Sequence, residues 1–427
     1  MDSIRVLVVS ANAFSKTANN GKTLESMFHA FKREQIAQLF TRPLKAGIND
    51  YTYAKSYYIV TEADIINKLL LKSSSCGGIL NLDIVTNHFE NTYSRDANKL
   101  SLVNAGIRSF LRACLWKTNL WKTRCLRNWI DEINPDLVFA VLGQQGFLYD
   151  ITKYISSYKK IPFAVFYTDD YFLHSRQSSL NRKRMLNNYK WAITYSSKCF
   201  CIGELMAKEY SSFFDKDFYP IMNSIVIHPY HERITDNSSI DISYFGSLSL
   251  NRFEMILRFS ELFDSNVRIN VYTGSDVTDT MKDSLKGHNV FFRGMVGEDE
   301  ILDKMRESDF LLHVESDDLN TKSITSLSVS TKIPEYLSSG RMVIGYGPTD
   351  IASMRLLEDY NVGLVLPSDS DNKSIIAKLK PYLDNSLLRE SYGKKGYDFA
   401  CKYFNNEFVA SAFKAELLSI VSTSYDY

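Results

Sequence analysis

Apolar positions recur along the chain with two alternating periods. Residues 4–10 (IRVLVVS) form a continuous β-branched run, as expected of a strand buried on both faces of a parallel sheet. Residues 23–33 (TLESMFHAFKR) then place apolar side chains at 24, 27, 28 and 31, the spacing of one helix face. The strand pattern returns at 135–142 (PDLVFAVL), 162–167 (PFAVFY) and 198–202 (KCFCI), the last running into a helix start at GELMAKEYSSFF. The alternation breaks over 224–239, which holds a proline, two histidines and the polar run ERITDNSS. A domain boundary is expected there.

Beyond the break the alternation restarts. Strands are predicted at 241–246, 267–273, 290–293, 309–314, 342–345 and 362–366, with helices between them that include 298–307 and 350–358. Two stretches of alternating strand and helix predict an α/β protein of two doubly wound, Rossmann-like domains facing across a cleft. Their expected bounds are 1–225 and 236–400. Residues 406–421 (NEFVASAFKAELLSIV) predict a final helix, apolar at Phe408, Ala412, Phe413 and Leu417. No strand follows for it to cover.

Composition narrows the function classes. A chain of 427 residues exceeds a single core, so two or three domains are expected. Apolar residues at 45% and charged ones at 23% are ordinary globular values. Fifty basic against forty-nine acidic side chains leave a net charge of +1, without the basic domain that a nucleic-acid partner requires. The six cysteines show no CxxC spacing, so reduced thiols and a cytoplasmic setting are expected. The opening MDSIRVLVVSANAF is too short in apolar residues for a signal peptide, and no run approaches the roughly 18 that span a bilayer.

Ligands of open α/β sheets bind at the carboxyl ends of the strands, so the loops leaving strands carry the candidate chemistry. After the first strand, Gly21-Lys22-Thr23 suggests a P-loop, but the motif needs glycine where the chain has Lys16. Gly21 remains either as the mouth of an anion-attracting helix or as the glycine of a tight turn. At the end of PFAVFYTDD, Asp169 and Asp170 either reach into the cleft or cap the next turn. Asp215-Lys216-Asp217 and Asp369-Ser370-Asp371 match a loose DxD pattern too common to assign, and no obligatory metal or other cofactor is expected. Gly246 ends a strand and Arg252 precedes a helix, where a guanidinium grips a diphosphate or simply faces solvent. In STKIPEYLSSG a helix starts with Ser330 or Thr331 as cap, so free N–H groups and Lys332 lie together. Glu335, one turn on, suits vicinal hydroxyls such as those of a ribose. Two cations, a helix start and a hydroxyl-binding carboxylate describe a nucleoside-diphosphate site.

The spread YFGSLSLNR, VFFRGMVGEDEILDKMRESDFLLHV and KIPEYLSSGRMVIGYGP resembles the donor-binding half of GT-B glycosyltransferases, retaining family 4 in particular. The resemblance covers about residues 241–366. It implies that Arg252 and Lys332 hold the donor diphosphate and Glu335 the ribose, with Gly246, Ser330 and Thr331 also in the donor site. Gly294, Met295 and Val296 would lie near the base. The implied activity is transfer of a sugar from a nucleoside-diphosphate sugar to a glycan or lipid-linked acceptor, with retention, as a hexosyltransferase of surface polysaccharide synthesis. Asp169 or Asp170 would serve at the anomeric carbon, and the last helix, 406–427, would cross back to the first domain. One departure stands out. Members of the family often carry a second glutamate eight positions before the ribose-binding one, and here that position is Leu327. Glu315 or the serine-rich 323–330 loop would take over the sugar contact, or the donor sugar is recognised differently. The alternatives are a GT-B sugar-nucleotide epimerase, for which His228 and His231 are the nearest histidines, or a non-catalytic sugar-nucleotide-binding subunit.

Residues 97–130 contain no acidic residue but seven basic ones, together with Trp116, Trp121 and Trp129. Such a stretch fits a helix lying on an anionic membrane, or a domain helix whose basic stems cover the core. The first option would place the protein on the inner face of the membrane.

Overall fold

The computed structural model describes residues 4–15, 19–42, 52–80, 105–174, 178–235, 239–263 and 266–424. The chain divides into two compact units. The first comprises Met1–Thr168, Gln177–Ile221 and Ala410–Tyr427, and the second Asp169–Arg176 and Met222–Val409.

In the first unit the described strands are β1 (Val6–Ser10), β2 (Ile36–Phe40), β3 (Ser56–Ile59), β4 (Gly78–Ile79), β5 (Leu137–Leu142), β6 (Phe163–Tyr167), β7 (Lys198–Cys201) and β8 (Phe218–Pro220). They form one sheet in the order β4-β3-β2-β1-β5-β6-β7-β8, parallel except for the β3–β4 pair. β1 and β5 are buried along their whole length, as their unbroken apolar runs require. β2 escapes a reading by pattern because Gln38 sits in its middle. That side chain is buried, donating to Ser10 Oγ at 2.9 Å and accepting from Phe14 N at 3.1 Å. A satisfied amide is thereby as much at home in the core as a leucine.

The first helix, Asn19–Phe28, starts four residues earlier than predicted. Gly21 lies inside it, and a Cβ there would come within 2.4 Å of Ala13 O. The glycine is needed for close backbone packing rather than for a turn.

The basic, tryptophan-bearing stretch forms two helices, Ala105–Lys117 and Arg124–Ile133; residues 97–104 lie outside the described residues. Trp116, Trp121 and Trp129 are all fully buried. Trp116 stacks on Phe147 at 4.2 Å, and the three indole N–H groups donate to Glu62, to Trp116 O and to Ser56 Oγ. The expectation that these rings lie on a membrane is therefore corrected: they are core, and Lys122 covers Trp121 with its ammonium 5.2 Å from the ring. Among the described residues no helix is long and apolar enough to cross a membrane.

The last helix, Asn406–Ser424, begins in the second unit, where Asn406 Oδ1 accepts from Ser224 Oγ at 2.8 Å. From Ala410 onward it belongs to the first. Phe413 enters a ring cluster with Phe28, Phe31, Phe139 and Phe200 at 5.2–6.4 Å. The buried face is Ala410, Phe413, Leu417, Ile420 and Val421. Phe408 and Ala412, which the spacing assigned to it, are exposed.

The second unit holds β9 (Ile240–Phe245), β10 (Val267–Tyr272), β11 (Val290–Gly294), β12 (Phe310–Val314), β13 (Met342–Gly347) and β14 (Leu364–Pro367). All pairs are parallel, in the order β11-β10-β9-β12-β13-β14. This is the dinucleotide-fold order, and it reverses direction between β9 and β12.

Candidate functional site

The switch point between β9 and β12 is where an open α/β sheet accepts a ligand, because the loops leaving the two strands diverge there. In the second unit the loop after β9 supplies Gly246 and Arg252, and the residue just beyond β12 is Glu315.

Arg252 opens the helix Arg252–Ser260, after two residues in the left-handed region, Leu250 and Asn251. Its Nη2 lies 3.4 Å from Glu315 Oε1. Glu315 is almost wholly buried, and Gly347 on β13 passes so close that a Cβ would sit 2.5 Å from Glu315 O. Burial opposes ionisation of this carboxyl, but His313 and Arg252 outweigh it and hold it below its ordinary range. Burial likewise opposes the charge of Arg252, yet Glu315 holds the guanidinium above its ordinary value. His313 Nε2 is 3.2 Å from Glu315 Oε1 without the alignment of a hydrogen bond, and Glu315 Oε2 is buried with no hydrogen-bond partner. The loop continues into Asp317, fixed by Arg258 Nη1 at 2.7 Å and Ser368 Oγ at 3.1 Å.

The KIPEYLS segment forms the short helix Lys332–Ser338. Thr331 already has helical angles and makes no side-chain cap. Ser330 Oγ accepts from Lys332 N at 3.3 Å instead, while Ser330 N donates to Ser353 Oγ at 3.0 Å. Lys332 Nζ donates to Glu335 Oε2 at 2.7 Å, with both side chains mostly buried. The next residue ties this helix to the sheet: Tyr336 Oη accepts from Phe245 N at 2.8 Å, at the end of β9. Gly246 follows, donating to Tyr272 O at 3.0 Å. Both donor-binding candidates on this helix are thus referenced to the strand that leads to Arg252.

At the end of β11, Gly294 takes a positive φ of 76°, a turn that glycine permits. Met295 follows at 82% exposure. Leu327, at the departure from the family pattern, is buried.

The two aspartates after β6 have different partners. Asp170 is fully buried, and its carboxylate accepts from Phe172 N, Leu173 N and His174 N at 2.8–2.9 Å and contacts His174 Nδ1 at 2.9 Å. These contacts give Asp170 the capping role that the sequence offered beside a place in the cleft. Asp169 accepts from Tyr171 Oη at 3.0 Å and from Ser328 Oγ at 3.3 Å, the latter within the serine-rich loop that leads to Lys332. His174, a half-exposed imidazole oriented by a buried carboxylate, went unread in the sequence. Its signal was the i, i+4 spacing from Asp170. Gly21, by contrast, belongs to the first unit as packing.

Asp371 caps the helix Asn372–Asp384, accepting from Ser374 N at 3.1 Å, and Asp215 is a left-handed helix end. Among the described residues no group of three His, Cys, Asp or Glu side chains is placed to hold a metal ion.

No protein-family model matches the chain, and no curated protein matches it. Solved structures do. HepE of Anabaena, in complex with UDP and glucose, is 13% identical, with 97% of this chain and 99% of that one covered and a TM-score of 0.60. Sucrose-phosphate synthase of Thermosynechococcus elongatus is 10% identical over 98% and 100%, with a TM-score of 0.62. TarM of S. aureus, as a mutant in complex with fondaparinux, alpha-GlcNAc-glycerol and UDP, is 12% identical over 98% and 100%, with a TM-score of 0.60. The likeness shows the fold: two Rossmann-like domains, the GT-B architecture.

Proposed function

We propose that this chain is a glycosyltransferase that moves a sugar from a nucleoside-diphosphate sugar to a hydroxyl of a glycan or lipid-linked acceptor. The observation that carries the reading is the pair of ion pairs at one end of the second sheet, Arg252–Glu315 and Lys332–Glu335. Each joins a cation suited to a diphosphate with a carboxylate beside it. The fold supports it, since HepE and TarM were solved with UDP.

Cleaving a glycosyl–phosphate bond sends its electron pair to the departing nucleoside diphosphate and leaves positive charge on the sugar. Fixed cations at the leaving group stabilise the charge where it develops. In this reading Glu335 accepts bonds from the ribose hydroxyls, which releases Lys332 to the diphosphate, while Glu315 keeps Arg252 aimed. Burial of Glu315 against Arg252 argues against its replacing the sugar-contacting glutamate absent at Leu327. The serine-rich 323–330 loop takes that part. The new bond forms between the acceptor oxygen and the anomeric carbon as the acceptor's hydroxyl proton passes to the departing diphosphate. Asp169, beside Ser328, orients the acceptor hydroxyl or stabilises the oxocarbenium-like sugar. Retention of configuration, metal independence, a hexose donor and a place in surface polysaccharide synthesis complete the proposal.

The epimerase alternative is weakened by the histidines it needs. His228 and His231 are exposed, and they serve through their carbonyls, which accept from Tyr397 Oη and Arg341. Incubation with a panel of nucleoside-diphosphate sugars, with and without glycan acceptors and with excess chelator, tests the proposal. Transfer or slow donor hydrolysis that survives chelation is expected. Epimer formation alone, or nucleotide binding with no turnover on any donor, overturns it.

A further inference from the structure

The helix Glu62–Leu69 in the first unit ends in an unusual way. Leu69, Leu70 and Leu71 follow one another at its end with exposures of 56%, 55% and 91%. Leu71 adopts a left-handed backbone with φ 55°, a conformation that is uncommon for any residue with a side chain and that glycine or asparagine takes at lower cost. The turn is held by Leu71 N donating to Lys68 O at 3.2 Å and Lys72 N to Asn67 O at 2.8 Å. A leucine so exposed gains no packing that offsets this conformation.

The charged residues next to the tip in sequence have one sign. Lys68 and Lys72 flank the leucines, and no acidic residue occurs from Ile65 to Leu80. The helix's own acids, Glu62 and Asp64, sit in its first turn, roughly 12 and 9 Å from Leu70 along the axis at about 1.5 Å per residue. The helix Ala105–Lys117, packed alongside, contains no acid, and its terminal Lys117 pairs with Asp150 at 2.9 Å.

We propose that this leucine turn is a docking tip that seats the first unit on an anionic lipid surface. The leucines enter the boundary between headgroups and acyl chains, and the lysines stay among anionic headgroups. Three residues at a turn offer far less than the roughly 800 Å² per partner of a stable protein interface, whereas a bilayer takes up an isolated apolar tip. The site lies apart from the Trp116, Trp121 and Trp129 rings, which are core, and does not depend on the sugar-transfer reading.

Co-sedimentation of the full chain with vesicles tests the proposal. Vesicles of equimolar phosphatidylcholine and phosphatidylglycerol should bind it, and phosphatidylcholine alone should bind it weakly. The double variant Leu70→Ser, Leu71→Ser should bind at least tenfold more weakly, and Lys68→Gln or Lys72→Gln about fivefold more weakly each. Leu71→Gly should also lose affinity while raising the melting temperature, because it relieves the left-handed leucine; this separates docking from folding. Equal binding of the leucine variant overturns the proposal. So does failure of wild type to bind the anionic vesicles, or a concentration-dependent dimer that the leucine variant abolishes.

Discussion

Arg252 Nη2 and Glu315 Oε1 meet at 3.4 Å across the point where the second sheet reverses its strand order. The two members are unequal, since the carboxylate is buried and the guanidinium keeps partial access to solvent. Removing the cation therefore strands a charge, whereas removing both members leaves a hole with no charge in it.

Arg252→Met is expected to cost about 3 kcal/mol of stability at neutral pH. Adding Glu315→Gln should recover most of that. In the wild type the Glu315 carboxyl is held below its ordinary value. Its contribution is thus fully present above the unfolded value of about 4.3 and fades as pH falls through the lower folded value. In Arg252→Met, burial is opposed by His313 alone and the carboxyl rises from its wild-type value, so the deficit should shrink as pH falls from 7 toward about 5. Denaturant titrations of wild type, single and double variants across that range check the sign.

Asp170 offers a second test, because one buried carboxylate serves three backbone N–H groups and the His174 ring. Asp170→Ala should destabilise the protein by about 2–4 kcal/mol, since it leaves buried donors without an acceptor. Asp170→Asn keeps an acceptor oxygen and should lose less. His174→Ala removes only a half-exposed ring and should leave the melting temperature close to wild type. Thermal melts of the three variants check the order, and equal loss in all three would contradict the assignment of Asp170 as the turn's organiser.

Much of this was legible from residue pattern. The unbroken runs at β1, β5, β9, β12 and β13 revealed the parallel sheets, and KIPEYLSSG placed Lys332 and Glu335 one turn apart. What stayed hidden was long-range. β2 carries Gln38, whose satisfaction by Ser10 and Phe14 is invisible in a hydrophobicity pattern. Glu315 looked like a possible sugar contact, because nothing local shows that Arg252, sixty-three positions away, claims it. The tryptophans of the basic stretch suggested a surface helix, yet their indole N–H groups find partners in the core. Residue type announced the chemistry in each case, and tertiary packing decided which way the side chain faced.

Phe413 joins the end of the chain to the first unit through four rings. Phe413→Ala should cost about 3–5 kcal/mol, the range for emptying a large buried aromatic. Truncation after Phe404 should expose the same ring cluster. Hydrogen exchange is the readout: protection should fall in β1, β5 and β7. Loss of protection confined to residues 241–400 would contradict it.

The central claim is that the second unit binds a nucleoside diphosphate through the helix Lys332–Ser338. Calorimetric titration with UDP and other nucleoside diphosphates, on wild type, Glu335→Ala and Lys332→Ala, tests it most directly. Wild type should bind at least one of them. Glu335→Ala should bind it about 5- to 150-fold more weakly, the equivalent of about 1–3 kcal/mol for unmet hydroxyl contacts. Lys332→Ala should bind more weakly too, and should lose more in turnover than in affinity, because charge on the leaving group is greatest in the transition state. Full-strength binding to both variants, or binding of no nucleoside diphosphate to the wild type, would contradict the claim.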